Sequence, residues 1–268
     1  MSRTVLYEQD GRVATITLNR PERMNTMGGD LNERVLDALH RAADDPDVWA
    51  VILTGAGRAF CAGGDLDAMK ERQSDPMYAG SSPRARAEHL RRMMSSSQLL
   101  HEMPKVTIAA INGACAGAGF SWACACDLRY AAAGAKFNVA FRDAGLSGDF
   151  GGTWTLPRIV GPAKARELYL LSPRFDAVEA ERIGLVSKTL PDVEQLLAHV
   201  RSVAEQIVDA APIAVRNIKA NLNDALRLSF SELLDREAAR HIEASQTQDH
   251  LEAASAFLEK RRPEFKNR

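Results

Sequence analysis

The sequence predicts an α/β fold on three observations. Short apolar runs ending at Gly or Asn-Gly alternate with a helix-period pattern in the first half of the chain. Two of those runs lead into glycine-rich turns that open helical patterns, and four helix-type patterns with no strand between them close the chain. With 268 residues, 46% of them hydrophobic, there is enough apolar material for a full core.

In chain order, Val13–Leu18 is a strand that puts Ala14, Ile16 and Leu18 on one face. Leu31, Val35, Leu36, Leu39 and Ala42 then recur at helical spacing, with Asp30 as N-cap and Asp44-Asp45-Pro46 as the stop. Val48–Thr54 and Val106–Ile111 are further strands, Phe120–Cys126 is a helical run, and Leu128–Ala131 and Leu185–Thr189 carry weaker strand signals. From Asp192 onward the patterns over Val193–Val208, Ile213–Leu226, Phe230–Gln246 and His250–Lys260 are all helical. This divides the chain into an α/β core over 1–191 and a helical section over 192–268. Gln73–Arg86, rich in Ser, Pro, Gly and Arg, reads as a mobile loop.

Thirty-four basic and 35 acidic side chains nearly cancel to a net charge of -1, which argues against a nucleic-acid partner. No apolar run approaches the roughly 20 residues that span a bilayer, and Met1–Glu8 lacks a signal-peptide core, so membrane insertion is not expected and a cytoplasmic location is. Cys61, Cys115, Cys124 and Cys126 sit among small residues and read as buried hydrophobes of a reducing compartment; their spacing matches no zinc site. The six histidines read as helix or surface residues, and Arg91-Arg92 and Arg261-Arg262 as solvated faces.

Three turns carry the chemistry. The strand ending at Thr54-Gly-Ala-Gly57 is followed by Ala59-Phe-Cys-Ala-Gly-Gly-Asp-Leu66, and Val106–Ile111 runs through Asn112-Gly113 into Gly117-Ala-Gly119 at a helix start. Turns of this kind leave backbone N–H groups free, and two of them converging on one oxygen make an oxyanion hole. The third, Gly145-Leu-Ser-Gly-Asp-Phe-Gly-Gly-Thr153, presents one carboxylate, Asp149, between glycines and beside an aromatic residue. Close packing by small residues is the rival reading of either glycine turn. A dinucleotide fingerprint at Gly117-Ala-Gly119 fails because Trp122 replaces its third glycine. A nucleophile elbow at Ser121 lacks its second glycine and a histidine in a convincing motif.

Eight segments in order then match one family. They are Asn19-Arg-Pro-Glu-Arg-Met-Asn25, Ala59–Leu66, Ala109-Ala-Ile-Asn-Gly113, Gly117-Ala-Gly119, Asp127-Leu-Arg129, Gly151–Gly161, Ala177–Val186 and Ala256–Phe265. On these residues the chain resembles the crotonase, or enoyl-CoA hydratase/isomerase, superfamily, with motifs similar to those of the phenylacetate-type epoxide and double-bond isomerases. The resemblance implies a crotonase-like spiral of ββα turns with a C-terminal helical oligomerisation section. It also implies homotrimers or dimers of trimers and acyl-CoA thioester substrates. Coenzyme A enters as part of the substrate and no separate cofactor is called for. The oxyanion donors fall to the backbone of Gly64 and of Ala118, where a glycine is usual. Arg23, Met24, Ala62, Gly63, Asp65 and Leu66 are implied to bind coenzyme A, with Phe257 and Lys260 contributed from the C-terminal helix of the same or a neighbouring subunit.

The departures from the family pattern set the chemical expectation. Ser121 and Phe141 stand where a hydratase carries its two glutamates, and neither is a carboxylate. Asp149 matches the acid of the isomerases, and an apolar wall of Phe141, Phe150 and Trp154 would raise its pKa. The expectation is an enoyl-CoA or ring-epoxide isomerase with Asp149 as sole proton shuttle. The alternatives are a hydratase of fatty-acid or aromatic-acid degradation with an unusual acid/base, and a trimeric acyl-CoA-binding protein without catalysis. An aryl-CoA dehalogenase ranks lower, because only His89 lies near its histidine base, off register.

Overall fold

The computed structural model describes residues 4–74 and 80–267. Among the described residues, ten strands form two sheets. In the larger, β1 (Val5–Asp10) pairs antiparallel with β2 (Val13–Leu18), and β2, β3 (Ala50–Gly55), β5 (Val106–Ile111), β7 (Leu128–Ala132) and β10 (Lys188–Leu190) run parallel in the order β1-β2-β3-β5-β7-β10. The smaller sheet holds β4 (Ala59–Cys61), β6 (Ala114–Ala116), β8 (Lys136–Asn138) and β9 (Phe175–Asp176), parallel except for β9. The chain visits the large sheet, then the small one, then a helix: β3-β4-α2 (Leu66–Ser74), β5-β6-α5 (Gly117–Ala125) and β7-β8-α6 (Gly152–Val160) are three turns of one spiral.

The parallel part of the large sheet, around β2, β3 and β5, is buried on both faces, as a parallel sheet requires. On β3, Val51 and Leu53 enter the main core with Ala14, Ile16 and Leu18, while Ala50 and Ile52 enter a second cluster. Helix α1 (Leu31–Asp44) covers the first face with Leu31, Val35, Leu39 and Ala42, and α9 (Val193–Val208) covers the second with Leu196, Val200 and Ala204. Asp30 does precede α1, yet its carboxylate makes no cap bond and instead accepts from Thr4 Oγ1 (2.7 Å) and Arg34 Nε (3.1 Å).

The loop expected over Gln73–Arg86 is shorter than its composition suggests. Positions 75–79 lie outside the described residues, but Ser82 caps α3 (Pro83–Met93), accepting from the Ala85 N–H, and Arg84 and Arg86 are helical. Proline at the first helical position and serine before it are a start signal that the polar composition masked. After α3 come α4 (Ser95–Glu102), α7 (Pro162–Leu171) and α8 (Ala177–Arg182). Helices α10 (Pro212–Asp224), α11 (Phe230–Ser245) and α12 (Gln248–Glu259) end the chain and leave Phe230, Phe257 and Leu258 largely exposed. Lys219 of α10, buried, fastens this section to the core through Asp127 (2.7 Å) and the Lys105 carbonyl (2.8 Å).

Candidate active site

Strands β4, β6 and β8 end at one edge of the small sheet, where ligands gather in parallel sheets. There, a cavity of about 920 Å³ is lined by Met24, Ala62, Gly63, Gly64, Leu66, Ala118, Phe141 and Asp149 among others.

Buried amides build the first wall. Asn25 gives its side-chain N–H groups to the carbonyls of Ala56 (3.0 Å) and Ala59 (2.8 Å), and Asn112 gives its own to Gly57 (2.9 Å) and Ala59 (3.1 Å). With β4 anchored, the chain after it runs beside Met24–Met27: Ala62 N–H bonds the Met24 carbonyl, Met27 N–H the Gly63 carbonyl, and Asp65 N–H the Met27 carbonyl. This ladder passes over Gly64, whose N–H is left on the opposite side, as the alternation of a strand demands. Ala118 is the second residue of α5, so its N–H has no acceptor within the helix. The two turns touch: a Cβ on Gly63, whose φ is +93°, would lie 2.9 Å from the Ala116 carbonyl oxygen and 3.4 Å from the Gly117 Cα. Gly119 is fixed just as closely, its missing Cβ falling 2.4 Å from the Cys61 carbonyl oxygen. The four cysteines are all buried, and burial pushes the Cys61, Cys124 and Cys126 thiols up to about 12.

Asp149 forms another part of the lining. Its turn is conformationally expensive: Gly148 and Gly151 have φ of +109° and +76°, and between them Phe150, a non-glycine residue, is held at +50°. Burial pushes the Asp149 carboxyl up to about 6, and its Oδ1 is buried with no hydrogen-bond partner. The cavity's other carboxylates are engaged: Asp143 accepts from Ser172 Oγ (2.8 Å) and Asp176 caps α8 by accepting from the Glu179 N–H (3.0 Å).

The apolar wall expected around Asp149 is only partly there. Phe141 lines the cavity and stacks on Tyr169, with ring centroids 6.2 Å apart and 4° between planes. Phe150 instead turns inward against Trp122 (5.7 Å), and Trp154, 40% exposed, meets His101 (5.1 Å) and Arg158 (4.0 Å to the ring centroid). Both line a separate cavity of about 590 Å³, because the left-handed turn at Phe150 carries the chain away from the first. Ser121 is fully buried inside α5 and does not line the cavity either; its hydroxyl reaches the Gly117 carbonyl at 3.4 Å.

The residues assigned to coenzyme A separate into two groups. Met24, Ala62, Gly63, Gly64 and Leu66 reach the cavity. Asp65, 4% exposed, faces the other way: it accepts from Arg23 (3.2 Å), Arg20 (3.4 Å) and the Ala68 N–H (3.2 Å), tying the turn to the Arg20–Met27 segment. Burial opposes its charge, but the Ala68 N–H and the two guanidiniums outweigh it and hold the carboxyl below its ordinary value. Arg23 is thus engaged by Asp65 and also Asp67 (3.4 Å). Phe257, 84% exposed, and Lys260, in the left-handed cap of α12, stand clear of this cavity in the single chain. Sequence reading missed Tyr169, which sits in the helical run Arg166–Leu171 and carries no motif to mark it.

Main-chain donors and a buried acid around one cavity make an arrangement that can hold a developing oxyanion and move a proton. The profile of the family described as Enoyl-CoA hydratase/isomerase matches residues 8–268. The 1,2-epoxyphenylacetyl-CoA isomerase of Escherichia coli (strain K12) is 35% identical over 265 residues, covering 99% of each chain. The short-chain-enoyl-CoA hydratase of Clostridium acetobutylicum is 35% identical over 266 residues, covering 98% of each. The crystal structure of enoyl-CoA hydratase from Bacillus anthracis superposes with a TM-score of 0.91 at 31% identity, covering 99% of this chain and 100% of that one. The fold is that of the crotonase enzymes. This chain belongs to the enoyl-CoA hydratase/isomerase family and is an enzyme of that class. Among the described residues, no helix is long and apolar enough to cross a membrane, and no cluster of three or more His, Cys, Asp or Glu is placed to hold a metal ion.

Proposed function

We propose that this protein is an enoyl-CoA isomerase in which Asp149 alone carries the proton. The observation that supports this is the buried, unpartnered Oδ1 of Asp149, set beside Phe141 and near Ser121, the two residues that replace the glutamates of a hydratase. The substrate thioester oxygen sits between the Gly64 and Ala118 N–H groups. Asp149 removes a proton from the carbon next to the thioester, negative charge collects on that oxygen, and the protonated acid returns the proton two carbons further along. A carboxyl raised by burial to about 6 is matched to both halves of this exchange near neutral pH. The same step serves an aliphatic enoyl group or an oxygenated ring ester, the latter being what the Escherichia coli relative is named for.

Met24, Ala62 and Leu66 hold the pantetheine arm, and Arg23, next in sequence to Met24, serves the nucleotide. Phe257 and Lys260 reach the coenzyme A of a neighbouring subunit in a trimer or a dimer of trimers, working in the cytoplasm without a further cofactor. The test is to incubate the purified protein with 2-enoyl-CoA and 3-enoyl-CoA substrates, aliphatic and aromatic, beside Asp149→Asn. Double-bond migration that disappears in the variant supports the reading. Hydration alone, or a fully active variant, overturns it.

A further inference from the structure

Next to the catalytic turn lies a polar group for which the proton transfer gives no role. The Tyr169 hydroxyl is buried without a well-formed hydrogen bond, its polar neighbour across Gly152 being Ser121 Oγ, and Asp149 Oδ1 is buried with no partner at all. Native proteins leave few such atoms, and two at one turn call for a common explanation.

Tyr169 packs against the turn that carries Asp149. Its ring stacks on Phe141, and its Cε1 lies 3.4 Å from where a Cβ on Gly148 would stand. At the other end a Cβ on Gly152 would come within 2.4 Å of the Tyr169 hydroxyl and 2.5 Å of Ser121 Oγ. The tyrosine therefore brackets Asp149, ring against Gly148 and hydroxyl against Gly152, in space that exists because both residues are glycines. The aromatic ring at position 141 completes the bracket by giving Tyr169 a surface to stack on.

The other titratable groups around the turn do not fill this role. Cys124 comes from α5; Arg158 of α6 and His101 of α4 are both held on the Trp154 ring; Asp143, Arg174 and Asp176 line the cavity. Burial alone accounts for the raised Asp149 carboxyl. The Tyr169 phenol is raised chiefly by burial, with Cys124 and the Asp149 charge pushing the same way and a weak hydrogen bond with Ser121 opposing; the hydroxyl can exchange that neutral partner for the stronger acceptor when Asp149 ionises. Tyr169 remains a proton donor throughout the working range.

We infer that Tyr169 is a positioning residue for Asp149, its hydroxyl donating a hydrogen bond to the ionised carboxylate as the acid–base cycle turns. The inference rests on the reading of Asp149 as the proton shuttle. A donor to the charged form favours that form, so the hydroxyl counteracts burial and keeps the acid from rising too far.

The test is Tyr169→Phe, which keeps the ring and its stacking. The Asp149 side-chain carbon is followed by ¹³C NMR across pH in both proteins and assigned by its loss in Asp149→Asn. The expected result is a rise of about one unit in the Asp149 midpoint in Tyr169→Phe. The acid limb of the rate profile should move by the same amount while KM changes less than about twofold, since the removed group acts on the acid and not on bound substrate. Replacing tyrosine by 3-fluorotyrosine, a stronger donor, should move the midpoint down, and this arm serves if Tyr169→Phe does not fold. Identical Asp149 titrations in all these proteins, or a loss of rate equal at every pH, would overturn the inference. A protein with no Asp149-dependent isomerisation would sink the proposed function, while the NMR titration would still decide the role of Tyr169.

Discussion

Replacing Asp149 by asparagine should make the protein more stable while removing its activity. Burial holds the folded-state carboxyl at about 6, against 3.8 for the ordinary group. A gap of about two units corresponds to about 3 kcal/mol. The sign follows from proton counting. Between pH 3.8 and 6 the folded protein keeps the proton that the unfolded chain has lost, so stability falls with rising pH. The full stability is present below the unfolded value and is gone once pH has passed the folded one. An asparagine amide at this position carries no charge and escapes this penalty. Urea unfolding at fixed protein concentration should show Asp149→Asn matching the wild type near pH 4 and exceeding it by about 3 kcal/mol above pH 7. In a chain of this size that is a rise of roughly 6–10 °C in Tm. A variant no more stable at pH 7 to 8, or one whose advantage is constant across pH, would refute the claim that the site is built at the cost of the fold.

Other outcomes follow from the same geometry. Because the proposed reaction starts from ionised Asp149, kcat/KM should rise with pH through a midpoint no higher than about 6, the value burial alone gives, measured with a 3-enoyl-CoA ester in wild-type protein. Ala118→Pro removes one oxyanion donor at a helix position that tolerates proline, and should lower kcat by about 10²–10³-fold with circular dichroism unchanged. Gly119→Ala drives a Cβ to 2.4 Å from the Cys61 carbonyl oxygen, and chemical denaturation should show a loss of about 3 kcal/mol. Lys219→Met leaves the Asp127 charge without its buried partner and should cost about 3 kcal/mol by the same assay, whereas replacing both partners by apolar residues should recover part of it.

The elements legible in the sequence are those with length enough to show a period. Val13–Leu18 is a strand with the bounds its alternation gives, Val106–Ile111 one with the bounds of its apolar run, and the helix of Leu31, Val35 and Leu39 buries the face its spacing marks. Strands Ala59–Cys61, Ala114–Ala116 and Lys136–Asn138 have three residues each, too few for a period, and are defined by pairing with one another. Leu185 and Val186, which look like the start of a strand, are instead core residues in the connection before β10. The site divides the same way. Glycine turns and a lone acid are visible in the letters, because few residue types satisfy those backbone demands. Where Phe150 and Trp154 point is not visible, since a single left-handed residue decides it. Tyr169 is invisible for a different reason: its significance comes from Gly148 and Gly152, about twenty residues earlier, which leave it room.

The proposed oxyanion donors are main-chain groups, and this changes what inheritance can act upon. A side-chain catalyst is lost to a single codon change. A backbone N–H such as those of Gly64 and Ala118 belongs to every residue except proline, and residue 118 already carries a side chain. Selection can preserve this half of the chemistry only through the shape of two turns, by way of residues such as Asn25 and Asn112 that bond the backbone upstream and need not meet the substrate. Drift at position 118 can therefore be silent, and at position 64 it meets first the Met69 side chain, while drift at a distant buried amide can be fatal to the reaction.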